Sequence, residues 1–283
     1  MRMTAEPELA RAGDLEALEV ELLLEAMLRR HGYDFRGYAP ASLRRRLRGI
    51  AAEWGERSIA GLVERVLHDP GAGERLVHGV TVNVSSMFRD PPFWKALRAL
   101  LAPLLAGEPA PRIWHTGCGS GEEVYSMAIL LEEEGFGGRA RIYATDLSGL
   151  ALARAREGVF PLARMKEFTR NYQRAGGKAD FSGYYSAKHE SAILQRALAQ
   201  RVVWGQHNLV SDASFNEFHL ILARNVLIYF SRELQARVHR MIHASLVPLG
   251  LLGLGRSETV AYSPHEADYV QAAEGQKLYR RIR

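Results

Sequence analysis

The sequence predicts an α/β fold, a mostly parallel sheet wound with helices, behind an all-helical N-terminal segment. Three observations carry this. Residues 1 to about 100 hold only apolar patterns of helical period. From Arg112 onward, short apolar strands alternate with amphipathic helices, which implies a parallel sheet with crossover connections. The first of those strands runs directly into a glycine-rich turn and a helix, "IWHTGCGSGEEVYSMAILLEEEG". At 283 residues the chain is long enough for two domains, each with its own core.

Four helices are predicted first. "LEALEVELLLEAMLRRHG" has helical spacing and ends in Gly32, a residue suited to the left-handed stop. "YAPASLRRRLRGIAAEWG" starts near Pro40 and stops at Gly55. "SIAGLVERVLHDPGAG" has Ser58 as N-cap and Pro70 as terminator. "DPPFWKALRALLAPLLAGEPAPR" ends in a Gly/Pro-rich stretch that reads as a linker. Then come strand "RIWHTG", helix "GEEVYSMAILLEEEG", strand "ARIYATD", helix "SGLALARAREGVF", strand "NEFHLILARNVLIYF", helix "SRELQARVHRMIHASLVPLG", and strands "LLGLGRSE" and "QKLYRRIR". Between about 160 and 207 the alternation breaks, as a small insertion would make it, and "ESAILQRALAQR" reads equally as strand or helix. The expected division is an extension over 1–18, a helical domain over 19–92, a linker helix over 93–111, and an α/β domain over 112–283.

No apolar run reaches the roughly 18–20 residues of a membrane span, and the first residues lack the apolar core of a signal peptide. One cysteine, Cys118, leaves no internal disulfide framework and suits a reducing compartment. The expectation is a cytoplasmic protein without membrane insertion. The net charge of +5 is mostly arginine and is clustered: Arg44, Arg45, Arg46 and Arg48 fall in "SLRRRLRG". Such a run suits nucleic acid, an anionic membrane or an acidic protein partner, and net charge alone does not choose.

Ligands of open parallel sheets bind beyond the carboxyl ends of the strands, where "HTGCGSG" lies. Gly117, Gly119 and Gly121 let backbone approach a ligand, and the helix start offers free N–H groups. Glu122 and Glu123 follow at once and would repel a pyrophosphate. A ligand with an ammonium or sulfonium group, such as S-adenosylmethionine, fits them, and its carboxylate can use the N–H groups. Asp146 ends the second strand, where an acid accepts hydrogen bonds from ribose hydroxyls; alone, it would also serve as a helix N-cap. Arg224 and Asn225 in "LARNVLIYFS" are polar where a buried strand needs partners for them, and Tyr229 follows. Upstream, Asn83, Ser85 and Arg89 in "TVNVSSMFRDPPFW" form a polar set that matters only if this segment folds back over the crevice.

These pieces, in this order, resemble the CheR family of chemotaxis receptor methyltransferases, protein-glutamate O-methyltransferases. The carrying segments are "NVSSMFRDPPFW", "GCGSGEEVYSMAILL", "IYATDLSGLALARAREGVF", "HNLV", "ARNVLIYFSRELQ" and "GLLGLGRSE", spread over nearly the whole chain. The resemblance implies a Rossmann-like S-adenosylmethionine-dependent methyltransferase sheet, an all-helical N-terminal domain and a small β insertion. It implies that Asn83, Ser85 and Arg89 contact the cofactor from the linker side. Glu122, rather than Glu123, would hold its amino-acid end. Asp146 would bind the ribose, Asn208 and Leu209 would lie beside the adenine, and Arg224 and Asn225 near the methionine portion. Arg89 and Tyr229 match the positions nearest the transferred methyl. The product is S-adenosylhomocysteine and no metal is expected. The implied partner is the cytoplasmic domain of a methyl-accepting chemoreceptor, whose acidic surface Arg44, Arg45, Arg46 and Arg48 would hold.

A glutamate is already a carboxylate at neutral pH, so its methylation requires no general base. In keeping with this, no His/Asp or Cys/His arrangement is visible near the crevice motifs. Two other readings compete. A nucleic-acid methyltransferase would suit the basic charge but needs a polar, proline-rich base-gripping signature after the strand "LARNVLIYF", which is absent. A non-catalytic module that senses S-adenosylmethionine would have little need of Arg89 and Tyr229.

Overall fold

The structure, a computed structural model, describes residues 12–82 and 85–283, and the chain divides into two compact units that meet in sequence at Val80 and Thr81. The first unit holds α1 (Ala12–His31), α2 (Pro40–Glu53), α3 (Ile59–His68) and α4 (Ala72–Val80). α1 packs on α3 and α2 on α4, around Leu23, Met27, Leu47, Leu62 and Leu76. Ser58 caps α3 as the sequence predicts, its hydroxyl accepting the Ala60 N–H at 3.2 Å. α4 was not predicted: its nine residues are too few for a helical period to stand out.

The second unit runs α5 (Pro91–Leu105), β1 (Arg112–Thr116), α6 (Glu122–Glu133), β2 (Arg141–Asp146), α7 (Gly149–Glu157), β3 (Val159–Pro161), α8 (Met165–Arg174), β4 (Tyr185–Lys188), β5 (Ser191–Leu194), α9 (Arg196–Ala199), β6 (Val202–Gln206), β7 (Phe218–Ala223), α10 (Arg232–Ser245), β8 (Leu246–Leu254), β9 (Tyr269–Gln271) and β10 (Leu278–Arg281). The main sheet has the order β6-β2-β1-β7-β8-β10-β9. Its first five strands are parallel, and β10 and β9 add on antiparallel. β3, β5 and β4 form a separate antiparallel sheet.

Four expectations change. The helix expected as a linker over 93–111 is α5, and Phe93, Trp94, Leu97, Leu101 and Leu105 lie fully inside the core of the second unit. The insertion does not reach 207, because β6 pairs in register with β2 in the main sheet. β6 looked foreign because it is an edge strand whose outer positions, Val203 and Gln206, face solvent. "ESAILQRALAQR" is both strand and helix, β5 followed by the single turn α9. Finally, β8 begins at Leu246, inside the predicted helix. Pro248 forbids the helix to continue, and the ladder to β7 shifts register between Phe218 and Leu220 to absorb the extra residues.

This topology gathers the carboxyl ends of β6, β2, β1, β7 and β8 along one edge. The glycine turn, Asp146, Asn208 and Arg224 all stand at that edge.

Candidate active site

The turn after β1 is built for close approach. Gly117, Gly119 and Gly121 have φ of 62°, 54° and 92°, the left-handed region that glycine enters without strain. A Cβ on Gly117 would stand 2.7 Å from Val226 Cγ2, so this turn and the segment after β7 pack directly together. The turn is pinned from β2: Cys118 N–H donates to the Thr145 carbonyl at 2.9 Å and Gly119 N–H to Asp146 Oδ2 at 2.8 Å. Asp146 Oδ1 accepts the Ser148 N–H at 2.9 Å, while Ser148, not Asp146, caps α7. The His207 N–H bonds the Asp146 carbonyl at 3.1 Å and brings Asn208 and Leu209 to the same strand end. Asn208 braces its own loop, its Oδ1 accepting Val210 N–H at 2.9 Å.

Ser85 and Arg89 do fold back over the crevice. With Gly117, Arg224, Asn225 and Tyr229 they line one cavity, joined there by Cys118 and Glu123. Asn83 lies outside the described residues. Segment 85–90 is fastened from two helices: Phe88 N–H donates to Ser126 Oγ of α6 at 2.9 Å, and Asn171 of α8 donates to the Met87 carbonyl at 3.1 Å. Phe88 and Asp90 on either side of Arg89 have φ of 50° and 59°, and Asn225 has 60°. Non-glycine residues held left-handed store strain that surrounding bonds must over-determine; here Asn225 lines the cavity, and Phe88 and Asp90 flank Arg89, which also lines it.

Glu122 and Glu123 diverge. Glu122 is buried, accepting from Ser120 Oγ at 2.5 Å and from Arg164 at 3.0 Å. The same guanidinium donates to the Ser85 carbonyl at 2.6 Å, so this pair ties the glycine turn to segment 85–90, the strap over the crevice. Glu123 lines this cavity, and Glu122 is not among its described lining residues.

Glu123 belongs to a chain of charges that crosses the site. His115 Nδ1 meets Glu123 Oε1 at 3.1 Å, and Arg224 donates to Glu123 Oε2 and to Asp90 Oδ2, both at 2.8 Å. Arg224 also donates to the Arg89 carbonyl at 3.3 Å and stacks 4.2 Å over the Phe93 ring. Burial would raise the Glu123 pKa, but Arg224 and His115 outweigh it and hold it below the usual carboxylate value. A His/acid pair thus exists where the sequence showed none, because its partners come from β1 and from the first turn of α6. His115 is completely buried, and it is not among the residues lining the cavity.

Glu258 was missed altogether. Its buried carboxylate accepts backbone N–H groups from both sides of the edge: Asn225 at 2.8 Å and Gly255 at 2.6 Å on Oε2, and Val226 at 2.9 Å and Leu227 at 2.8 Å on Oε1. Burial pushes this carboxyl above its ordinary range while the N–H groups pull it back. One side chain thereby fixes the turn that carries Asn225 and Tyr229. The signal was present in "GLLGLGRSE", an acid just past a strand end, but a lone acid there has no readable partner.

In the first unit, Arg48 forms a bidentate pair with Glu16 of α1, at 2.8 and 2.9 Å, and Arg46 is half-buried. Arg44 and Arg45 stand exposed on α2.

Comparison with known proteins agrees with this architecture. Residues 83–276 match the CheR methyltransferase SAM binding domain, and residues 18–81 match the CheR methyltransferase all-alpha domain. The putative methyltransferase Cher3 of Pseudomonas putida is 41% identical over 264 residues, 93% of this chain and 97% of that protein. The chemotaxis protein methyltransferase 1 of Pseudomonas aeruginosa is 32% identical, over 81% of this chain and 86% of that one. The chemotaxis protein methyltransferase Cher2 of Pseudomonas putida is 30% identical with the same two coverages. The chain belongs to the CheR methyltransferase family and is an S-adenosylmethionine-dependent methyltransferase.

Proposed function

We propose that the protein methylates glutamate side chains of a chemoreceptor or related signalling protein in sensory adaptation. The observation that carries this is the cavity's lack of a base. Among the described lining residues the sole acid is Glu123, locked to Arg224 and His115, and the sole thiol is Cys118, which burial pushes well above its ordinary pKa. A site with no group to take a proton suits an acceptor that is already ionised, which a glutamate is and an amine or hydroxyl is not.

The residues fit the cofactor. Gly117 and Gly119 offer a wall without side-chain bulk on either side of the small Cys118, and Glu123 places a carboxylate where an ammonium or sulfonium is favoured. Ser85, Arg89, Glu123, Arg224 and Asn225 would hold the methionine end, with Asp146, Asn208 and Leu209 on the nucleoside side. When bound, the cofactor supplies a methyl already activated as a sulfonium. The chain's part is to align the acceptor with it and exclude water, an effect that supplies roughly 7–11 kcal/mol in well-oriented reactions. Glu123→Gln should weaken cofactor binding more than Glu122→Gln in calorimetry, and the opposite ranking would return this role to Glu122.

Tyr229 and Arg89 reach the cavity from its two flanks. Tyr229→Phe removes only a hydroxyl. It should leave cofactor affinity unchanged and slow methyl transfer about 10-fold, the worth of one hydrogen bond of ~1.4 kcal/mol made in the transition state. A wild-type rate removes Tyr229 from the mechanism, and an equal loss of binding makes it a cofactor ligand.

For the receptor surface, Arg44 and Arg45 are the proposed contacts, since Arg48 is engaged with Glu16. Arg45→Glu should raise the receptor KM, leave cofactor affinity unchanged, and flatten the fall of activity with salt, because exposed charges are screened beyond about 8–10 Å at 0.10–0.15 M. An unchanged KM at low ionic strength makes the run a solvated helix face. Transfer assays offering a receptor fragment, RNA and no acceptor side by side test the whole reading, which fails if RNA alone is labelled.

A further inference from the structure

We propose that His243, His265 and Asp268 form a binding site for one divalent transition-metal ion such as Zn2+, separate from the methyl-transfer cavity. Their ligand atoms all lie within 4.8 Å of one another. His243 comes from the last turn of α10, and His265 and Asp268 from the stretch between β8 and β9. Two imidazoles and a carboxylate are a donor set for Zn2+, with a water completing the tetrahedron.

Three features beyond proximity point to a cation. The buried His243 Nε2 has no hydrogen-bond partner, although it stands 3.4 Å from Asp268 Oδ2. That separation equals the edge of a zinc tetrahedron, about 3.4 Å for ligands near 2.0–2.1 Å from the ion. The His243 ring makes its own hydrogen bond to the Arg283 backbone, which leaves the Nε2 lone pair facing the cluster. Finally, the site sits at the C-terminal end of a 14-residue helix, where the backbone dipole favours positive charge. Two cations stand close by: Arg281, turned to the carbonyls of His243 and Leu246, and Arg283, whose charge bears on Asp268.

Binding requires a defined adjustment. The two rings are stacked at 3.8 Å with 7° between their planes, so one must rotate about its soft χ2 to aim both lone pairs at one point. His265 Nδ1 now donates to Asp268 Oδ2 at 2.8 Å. The ion takes the place of that proton, which leaves to solvent. The consequence is structural. α10 follows directly on the Tyr229 turn, and the stretch that supplies His265 and Asp268 also carries Glu258. An ion here would clamp together the two segments whose contact fixes the Tyr229 turn.

The test uses full-length protein stripped with EDTA and titrated with Zn2+ alone. One ion per chain should bind. At 100-fold excess over the dissociation constant the melting temperature should rise by roughly 5–10 °C. His265→Ala and Asp268→Asn, both at partly exposed positions, should abolish stoichiometric binding and the shift, and His68→Ala on the exposed face of α3 should keep both. Co2+ should give the intense visible bands of a tetrahedral site in the wild type and not in His265→Ala. No stoichiometric binding by the wild type, or a shift retained in both ligand variants, overturns the site. None of these readouts depends on methyl transfer.

Discussion

Glu258→Gln is expected to lower the thermal stability and the methyl-transfer rate together, although Glu258 is not among the residues lining the cavity. The wild-type carboxylate accepts five N–H groups, two on Oε2 at 2.6 and 2.8 Å and three on Oε1 at 2.8, 2.9 and 3.3 Å. An amide keeps one accepting oxygen on the three and turns an NH2 on the other pair. Two buried N–H groups then lose their partner, at ~1–3 kcal/mol each. The expected loss is therefore about 2–6 kcal/mol of stability. The freed segment is the one that holds Asn225 at φ 60° and places Tyr229. A misplacement near 1 Å costs on the order of 100-fold in rate. Thermal unfolding and single-turnover transfer on the same preparation check this. A Glu258→Gln protein with wild-type rate would mean that the turn is held by something other than this carboxylate.

Arg224→Met has the second large effect. It strips the cation from between Glu123 and Asp90, which leaves a buried carboxylate facing His115 alone. Breaking a buried pair from one side costs roughly 3–5 kcal/mol. The strap is loosened as well, since Arg224 also holds the Arg89 carbonyl. Cofactor binding should fall with stability, and Arg224→Lys should fall between, because one ammonium cannot span both acids with a planar fork. The pH dependence separates this from simple loss of packing. Glu123 is held below its unfolded pKa, so its pairing adds stability above the ordinary carboxylate range, and that contribution is lost as pH falls through the depressed value. In Arg224→Met the carboxylate loses its largest favourable charge. The variant's stability should therefore decline less than the wild type's on acidification from neutrality. Parallel pH curves would contradict the pairing.

The fold was legible where each element carried its own signal. The strand ends at Thr116 and Asp146 were visible because buried parallel strands read as apolar runs that stop at glycine or acid. β6 was misplaced because an edge strand half faces water, and α5 was taken for a linker because the Gly/Pro-rich stretch behind it looked like a boundary. At the site, single residues were legible and couplings were not. Arg89, Arg224 and Tyr229 were found from polar residues at strand ends and from family likeness. The different pairing of the two adjacent acids, Glu122 with Arg164 and Glu123 with Arg224 and His115, draws on a segment whose reading was uncertain. Glu258 acts mainly through N–H groups some 30 residues away in sequence, and His115 reaches Glu123 across the glycine turn, pairings that neither a strand nor a helix period displays.

Methyl transfer to a carboxylate is tested most directly by the stability of the product bond. The protein is incubated with tritiated S-adenosylmethionine and the cytoplasmic fragment of a methyl-accepting receptor, and the labelled fragment is then treated with mild base. The expected result is label on the fragment and its release as volatile methanol, as a glutamate methyl ester requires. Label that survives the base, as a methylated amine or ether would, contradicts it.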